Sequence, residues 1–179
     1  MVKLLKFLLI FIFLFSITAA SQAAGLDERL RGYIVLQVEQ NGEAWYVHPR
    51  TGQRYFLGRP DLAWQVMREQ GTGISNADLA RIPLGLVPAL GVDSDFDGLL
   101  DELENALMTD PGRADSDNDG VSDKEELSFN YDPLGPGRLP LDADFARAQA
   151  GRIFLQVENH GEAWYVYPKD NKRYYLGRP

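Results

Sequence analysis

Two acidic stretches carry the residues in this chain that could do chemistry. Residues 93–104 read DSDFDGLLDELE, and residues 115–126 read DSDNDGVSDKEE. Each is a 12-residue window with carboxylates at positions 1, 3, 5, 9 and 12 and glycine at position 6, and the windows start 22 residues apart. Carboxylates at this density suit a hard cation. Ca²⁺ takes about six to eight oxygen ligands at about 2.3–2.6 Å. A short loop can supply them only if alternate side chains turn inward and the chain bends sharply midway. Asp93, Asp95 and Asp97 are the first three candidate ligands, and Asp115, Asp117 and Asp119 take the same places in the second window. Gly98 and Gly120 stand at the bend, where glycine reaches φ > 0 without a steric cost. The backbone carbonyls of Leu99 and Val121 fall at position 7, and Asp101 and Asp123 at position 9, where contact often runs through water. Glu104 and Glu126 are long enough to return from the following turn and bind with both oxygens. A single D-x-D-x-D-G is weak evidence; two full windows in one register point to two metal sites. The clustered carboxylates also repel each other, so metal binding and folding are expected to be coupled.

No second chemistry competes with this one. The chain has no cysteine, hence no thiol nucleophile and no disulfide. It has no G-x-S-x-G, no H-E-x-x-H and no phosphate-cradling glycine loop. Its two histidines, His48 and His160, occupy non-equivalent places in the internal repeat described next. Glu43 and Glu162 flank turns, where an acid is ordinarily a solvated charge. The expectation is a protein that is not an enzyme. The net charge is −8, with no basic patch, which argues against a nucleic-acid partner.

The elements that must position the acidic windows come from one small module used twice. Residues 32–60 read GYIVLQVEQNGEAWYVHPRTGQRYFLGRP, and residues 151–179 read GRIFLQVENHGEAWYVYPKDNKRYYLGRP. They align without a gap at an offset of 119. Ile34, Leu36 and Val38 alternate with Val35, Gln37 and Glu39, the period of a strand. Asn41 and Gly42 form a hairpin signal. Second and third strands follow at 44–47 and 54–57. A three-stranded sheet needs a cover. The sequence predicts a helix over 62–70 capped by Asp61, with Leu62, Val66, Met67 and Trp64 as its buried stripe. Gly71 and Gly73 end it, and a second short helix over 76–82 opens at Ser75 with Asp78 in capping-box position. Short helices are also expected at 102–108 and 142–150. The fold class is therefore α+β: a small three-stranded antiparallel meander with two short helices, an EF-hand-like calcium-loop segment, and a second, incomplete copy of the meander. Copy two stops where copy one turns into its helices, which reads as a fragment of a longer protein; the alternative is that its sheet packs on something else, such as the first module.

The N-terminus adds a location. Lys3 and Lys6 precede an apolar run over 8–17, and small residues follow. This is the pattern of an export signal over 1–23, cleaved after Ala23, with no transmembrane span left afterwards. The expected domains are that signal at 1–23, the first module at 32–82, the calcium segment at 92–133 and the truncated second module at 151–179. The expected location is secreted, cell-surface or periplasmic.

The segment 93–133 resembles the thrombospondin type 3 repeats of bacterial exported proteins. The marks are D-x-D-x-D-G-x-x-D-x-x-E, given twice, and the intervening Thr109, Asp110 and Pro111. The resemblance implies two bound Ca²⁺ ions, with Asp93, Asp95, Asp97, Asp101 and Glu104 as ligands in one loop. Asp115, Asp117, Asp119, Asp123 and Glu126 are the implied ligands in the other. The W-Y-V-x-P…R-Y-[FY]-L-G-R-P module resembles an uncharacterised module of bacterial exported proteins, which implies location but no activity. Its G-E-A-W-Y-V string is similar to the G-x-W-Y-Y of choline- and glucan-binding repeats. Trp45, Tyr46, Tyr55 and Phe56, with Trp164, Tyr165, Tyr174 and Tyr175, would then offer an aromatic face to a sugar ring.

The expectation is thus a non-enzymatic, exported calcium-binding protein whose two loops form a metal-stiffened spacer between repeated modules. The alternatives are a carbohydrate or cell-wall adhesion protein and an accessory region of a larger secreted enzyme. Calcium ions are the expected partners, with a cell-wall glycan or an envelope protein as further candidates.

Overall fold

The computed structural model describes residues 28–39 and 41–178. The export signal expected at 1–23 lies outside them. No helix among the described residues is long and apolar enough to cross a membrane.

Copy one forms an antiparallel sheet of β1 (Ile34–Gln37), β2 (Glu43–Val47) and β3 (Arg54–Phe56), in that order. Val35 lies opposite Trp45, and Trp45 opposite Phe56, so one face stacks β-branched and aromatic side chains across strands. Helix α1 (Pro60–Gln70) follows. It begins earlier than expected, because Pro60 takes the first helical position, where its missing N–H and fixed φ cost nothing. Arg59, not Asp61, is the N-cap. Asp61 falls in the first turn, where the helix dipole favours a negative charge. The stripe also shifts. Met67 is buried, Ala63, Trp64 and Val66 are partly buried against it, and Leu62 is exposed.

The glycines after α1 do more than end it. Thr72–Ile74 is strand β4. Helix α2 (Asn76–Ala80) then opens at Ser75, whose Oγ accepts from the Asp78 backbone N at 3.1 Å. It is shorter than expected, and Ile82 beyond it is fully buried. The acidic windows run directly into α3 (Asp101–Leu107) and α4 (Asp123–Ser128). Helix α5 (Ala143–Ala148) is capped by Asp142, which accepts from the backbone N of Asp144 and Phe145.

Copy two supplies β5 (Ile153–Gln156), β6 (Ala163–Val166) and β7 (Arg173–Gly177). Its sheet has four strands in the order β4-β5-β6-β7, because β4 of copy one adds in parallel to β5. Periodicity could not reveal this strand, since T-G-I is too short to show any.

The two copies touch directly. Tyr46 Oη donates to the Gly151 carbonyl at 2.8 Å, and Tyr165 Oη donates to the Gly32 carbonyl at 2.5 Å. The pairs are equivalent under the repeat, as across a two-fold interface. Both glycines have positive φ, and a Cβ on Gly32 would lie 2.7 Å from the Gly151 Cα. Around this contact Tyr46, Met67, Ile153, Ala163 and Tyr165 form one core. A second core joins Ile74, Leu79 and Ile82 of copy one, and Leu84 just beyond it, to Phe154, Trp164 and Val166 of copy two. Leu99, Ala106 and Leu127 of the acidic segment complete it.

Candidate metal centre

Each acidic window folds as a loop built from its own carboxylates. Asp93 accepts from the backbone N of Phe96 at 2.8 Å and of Gly98 at 3.1 Å. Asp95 accepts from Asp97 N at 3.1 Å, and Asp97 from Leu99 N at 2.6 Å. The second loop repeats the pattern. Asp115 accepts from Asn118 N at 2.7 Å and Gly120 N at 2.8 Å, Asp117 from Asp119 N at 3.0 Å, and Asp119 from Val121 N at 2.9 Å. These bonds draw the side chains to one side of the backbone. One carboxylate oxygen each of Asp93, Asp95 and Asp97 lie within 4.8 Å of one another, and so do those of Asp115, Asp117 and Asp119. Gly98 and Gly120 take φ of +92° and +99°, as the bend requires.

The position-12 residues supply the test of whether a cation fits. Glu104 is fully buried, and neither of its carboxylate oxygens has a hydrogen-bond partner. Glu126 is buried with Oε2 unpartnered, and Asp95 Oδ2 is likewise buried and unpartnered. A buried carboxylate without a donor is costly. Here the neighbours worsen the cost. Burial, followed by repulsion from Asp95, Asp97, Asp123 and Asp101, pushes the Glu104 carboxyl up to about 7. Burial and repulsion from Asp119, Asp117, Asp123 and Asp115 push Glu126 up to about 7 as well. Buried, unpartnered oxygens repelled by neighbouring carboxylates are what a hard cation would satisfy, and the donor set contains no nitrogen or sulfur. The residues fit Ca²⁺.

Position 9 also makes bonds within its own loop. Both oxygens of Asp101 are engaged by Ser94, through its N at 2.8 Å and its Oγ at 2.7 Å. Both oxygens of Asp123 are engaged by Ser116, at 2.9 Å and 2.6 Å. The two residues tie the start of each loop to the start of the helix that follows. The serines at position 2 went unremarked in the sequence, although both windows open D-S-D. Leu99 at position 7 is buried in the shared core, and Val121 is exposed.

The two loops also meet. Asp97 Oδ2 accepts from the backbone N of Lys124 at 3.2 Å, across 27 residues. The Lys124 ammonium lies over Gly98, where a Cβ would come within 2.1 Å of Nζ. Loop one is therefore braced by the first turn of α4, at the end of loop two.

Residues 115–134 match the Bacterial TSP3 repeat family. The matched stretch covers the second loop, α4 and the turn through Pro133. TSP3 repeats are calcium-binding, and the two aspartate triads of this chain are groups that could hold metal. No curated protein and no solved structure matches the chain.

Of the module's aromatic residues in copy two, Tyr174 and Tyr175 are partly exposed, whereas the other two are buried. Trp164 is fully buried and Tyr165 is 5% exposed. Trp164 Nε1 donates to Gln156 Oε1 at 2.9 Å, deep in the shared core. Glu162 is not a solvated charge either. It is buried, accepts from His160 N at 2.9 Å, and closes the β5–β6 turn. In copy one Tyr46 is 1% exposed, and His48 Nδ1 accepts from the backbone N of Arg50 and Thr51 in a turn.

Proposed function

We propose that the chain is an exported, non-enzymatic calcium-binding protein in which two ions set the fold of residues 93–126. Asp93, Asp95, Asp97 and Glu104 would hold one ion, and Asp115, Asp117, Asp119 and Glu126 the other. The observation that carries this reading is the Glu104 carboxylate, buried with both oxygens unpartnered beside Asp95 and Asp97. Bound calcium would supply the positive charge that these oxygens lack. The apolar N-terminal run over 8–17 supports export, and extracellular calcium is abundant enough for sites of about 10⁻⁴–10⁻³ M.

The role of the ions follows from what the segment touches. Leu99, Ala106 and Leu127 lie against Trp164, Phe154 and Val166. The segment is one wall of the second module's core. Calcium then acts as a brace that keeps this wall in place.

Calorimetric titration of the chelator-treated protein with Ca²⁺, with Mg²⁺ as control, tests the reading. Two ions should bind, and the Asp93→Ala plus Asp115→Ala variant should bind neither. No heat at millimolar Ca²⁺ would sink the proposal.

A further inference from the structure

The internal repeat places equivalent residues in two different surroundings. Copy two is covered on both sheet edges and across one face by a single stretch of copy one. Strand β4 lies along β5, with Val157 N donating to Ile74 O at 3.2 Å. Helix α2 and Ile82 cross over Trp164. Leu84 then bridges to Arg173 on β7, with Arg173 N donating to Pro83 O and Gly85 N to Arg173 O, each at 2.8 Å.

Copy one carries the same residues without the cover. Among the described residues no strand lies on the outer edge of β1. Leu36, the counterpart of half-buried Leu155, is 62% exposed. Trp45 is half-exposed where Trp164 is fully buried. The amide of Gln156 accepts from Trp164 and donates to Asn76 Oδ1 at 2.8 Å and to the Ala106 carbonyl at 3.0 Å. Its counterpart Gln37 keeps the tryptophan bond, Trp45 Nε1 to Gln37 Oε1 at 3.3 Å, and is exposed. Arg54 is exposed where Arg173 is buried and donates to the Leu79 carbonyl.

We infer that the β1 edge and the Trp45–Phe56 face are a docking site for a segment of the 71–85 type, presented by another copy of this module. The occupant would add a parallel strand to β1 in the register that Thr72, Gly73 and Ile74 take against Phe154, Leu155 and Gln156. That register sets its residues against Val35, Leu36 and Gln37. It would then turn a short helix over Trp45 and end along Arg54. One glycine of the occupant is part of the recognition. A Cβ on Gly73 would lie 2.9 Å from the Val157 side chain, whereas Gly71 is required first by the Met67 carbonyl of its own helix. Val38 is the same residue type at the equivalent place. Strand addition gives affinity through the backbone, and the side-chain pockets give the choice of partner.

The test uses the calcium-saturated protein and a synthetic peptide of residues 71–88, followed by hydrogen exchange and calorimetric titration. The expected result is one peptide per chain, with exchange at Leu36 and Val38 slowed at least tenfold. Binding should be lost in the Leu36→Lys protein, whose exposed site leaves the fold intact, and with a Gly73→Val peptide. No binding up to millimolar peptide would overturn the inference. So would binding that protects β5 instead by displacing the chain's own β4, or binding that Leu36→Lys leaves unchanged.

Discussion

The loop pattern was legible in the sequence because it is local. Alternate aspartates, a glycine at the bend and a glutamate one turn on can be read within a dozen residues, and Asp93, Asp95 and Asp97, like Asp115, Asp117 and Asp119, gather as that spacing requires. What the spacing could not show is the state of Glu104. Its burial goes with the packing of Leu99, Ala106 and Leu127 in one core with Phe154, Trp164 and Val166, which lie far along the chain. The hold of Lys124 N on Asp97 was equally hidden, since it joins two loops that each look complete alone. Glu104 yields a prediction with two signs. In Glu104→Gln the buried charge and its repulsion with Asp95 and Asp97 vanish. The chelated protein should therefore melt at a higher temperature than the chelated wild type, by the equivalent of about 1–3 kcal/mol for an unsatisfied buried group. The same change should weaken calcium at one site at least tenfold, or about 1.4 kcal/mol. Thermal melts with and without Ca²⁺ check both. A variant less stable under both conditions would mean that Glu104 has a partner other than a cation.

Among the elements, the strands of the repeat were readable from period-two alternation and turn residues, and their observed bounds differ by a residue or two. Helix α1 began early because proline, not Asp61, governs its first turn. Strand β4 was missed because its partner β5 lies about 80 residues away, and pairing in parallel leaves no hairpin signal. Helix α5 is tied to α2 through Arg81, whose guanidinium contacts Asp78 and Asp142 at 2.8 Å each. The backbone N–H of Phe145, then the Arg81 guanidinium, hold the Asp142 carboxyl below its usual range. A carboxyl whose folded value is depressed stabilises the fold above its unfolded value, near 3.8. That contribution is lost as pH falls through the lower folded value. Asp142→Asn keeps a capping acceptor but loses the ion pair. It should melt below the wild type at pH 7, and the gap should narrow as pH falls below about 4. A gap independent of pH would place the contribution in the cap alone.

At the scale of the whole molecule, the repeat predicted two similar modules, with packing of the second on the first as one of two possibilities. The reciprocal Tyr46–Gly151 and Tyr165–Gly32 bonds depend on a backbone approach that sequence alone does not signal. Gly32 tests it against an internal control. Gly32→Ala meets both a positive φ of +81° and the Gly151 Cα, whereas Gly42→Ala meets a positive φ of +77° in open space. The second should cost about 1–2 kcal/mol, the penalty of a left-handed L-residue. The first should cost clearly more, read by denaturant unfolding. Equal costs would mean that the two copies do not pack through their glycines.

The central claim is that calcium holds residues 93–126 as a wall of the second module. Amide hydrogen exchange at Ala163–Val166 and at Glu43–Val47, in Ca²⁺ and after chelation, tests it most directly. The account predicts that chelation speeds exchange in the strand of Trp164 at least tenfold, and by more than in the strand of Trp45, which that wall does not cover. Unchanged exchange in both strands, with loss of protection confined to the loops, would contradict it.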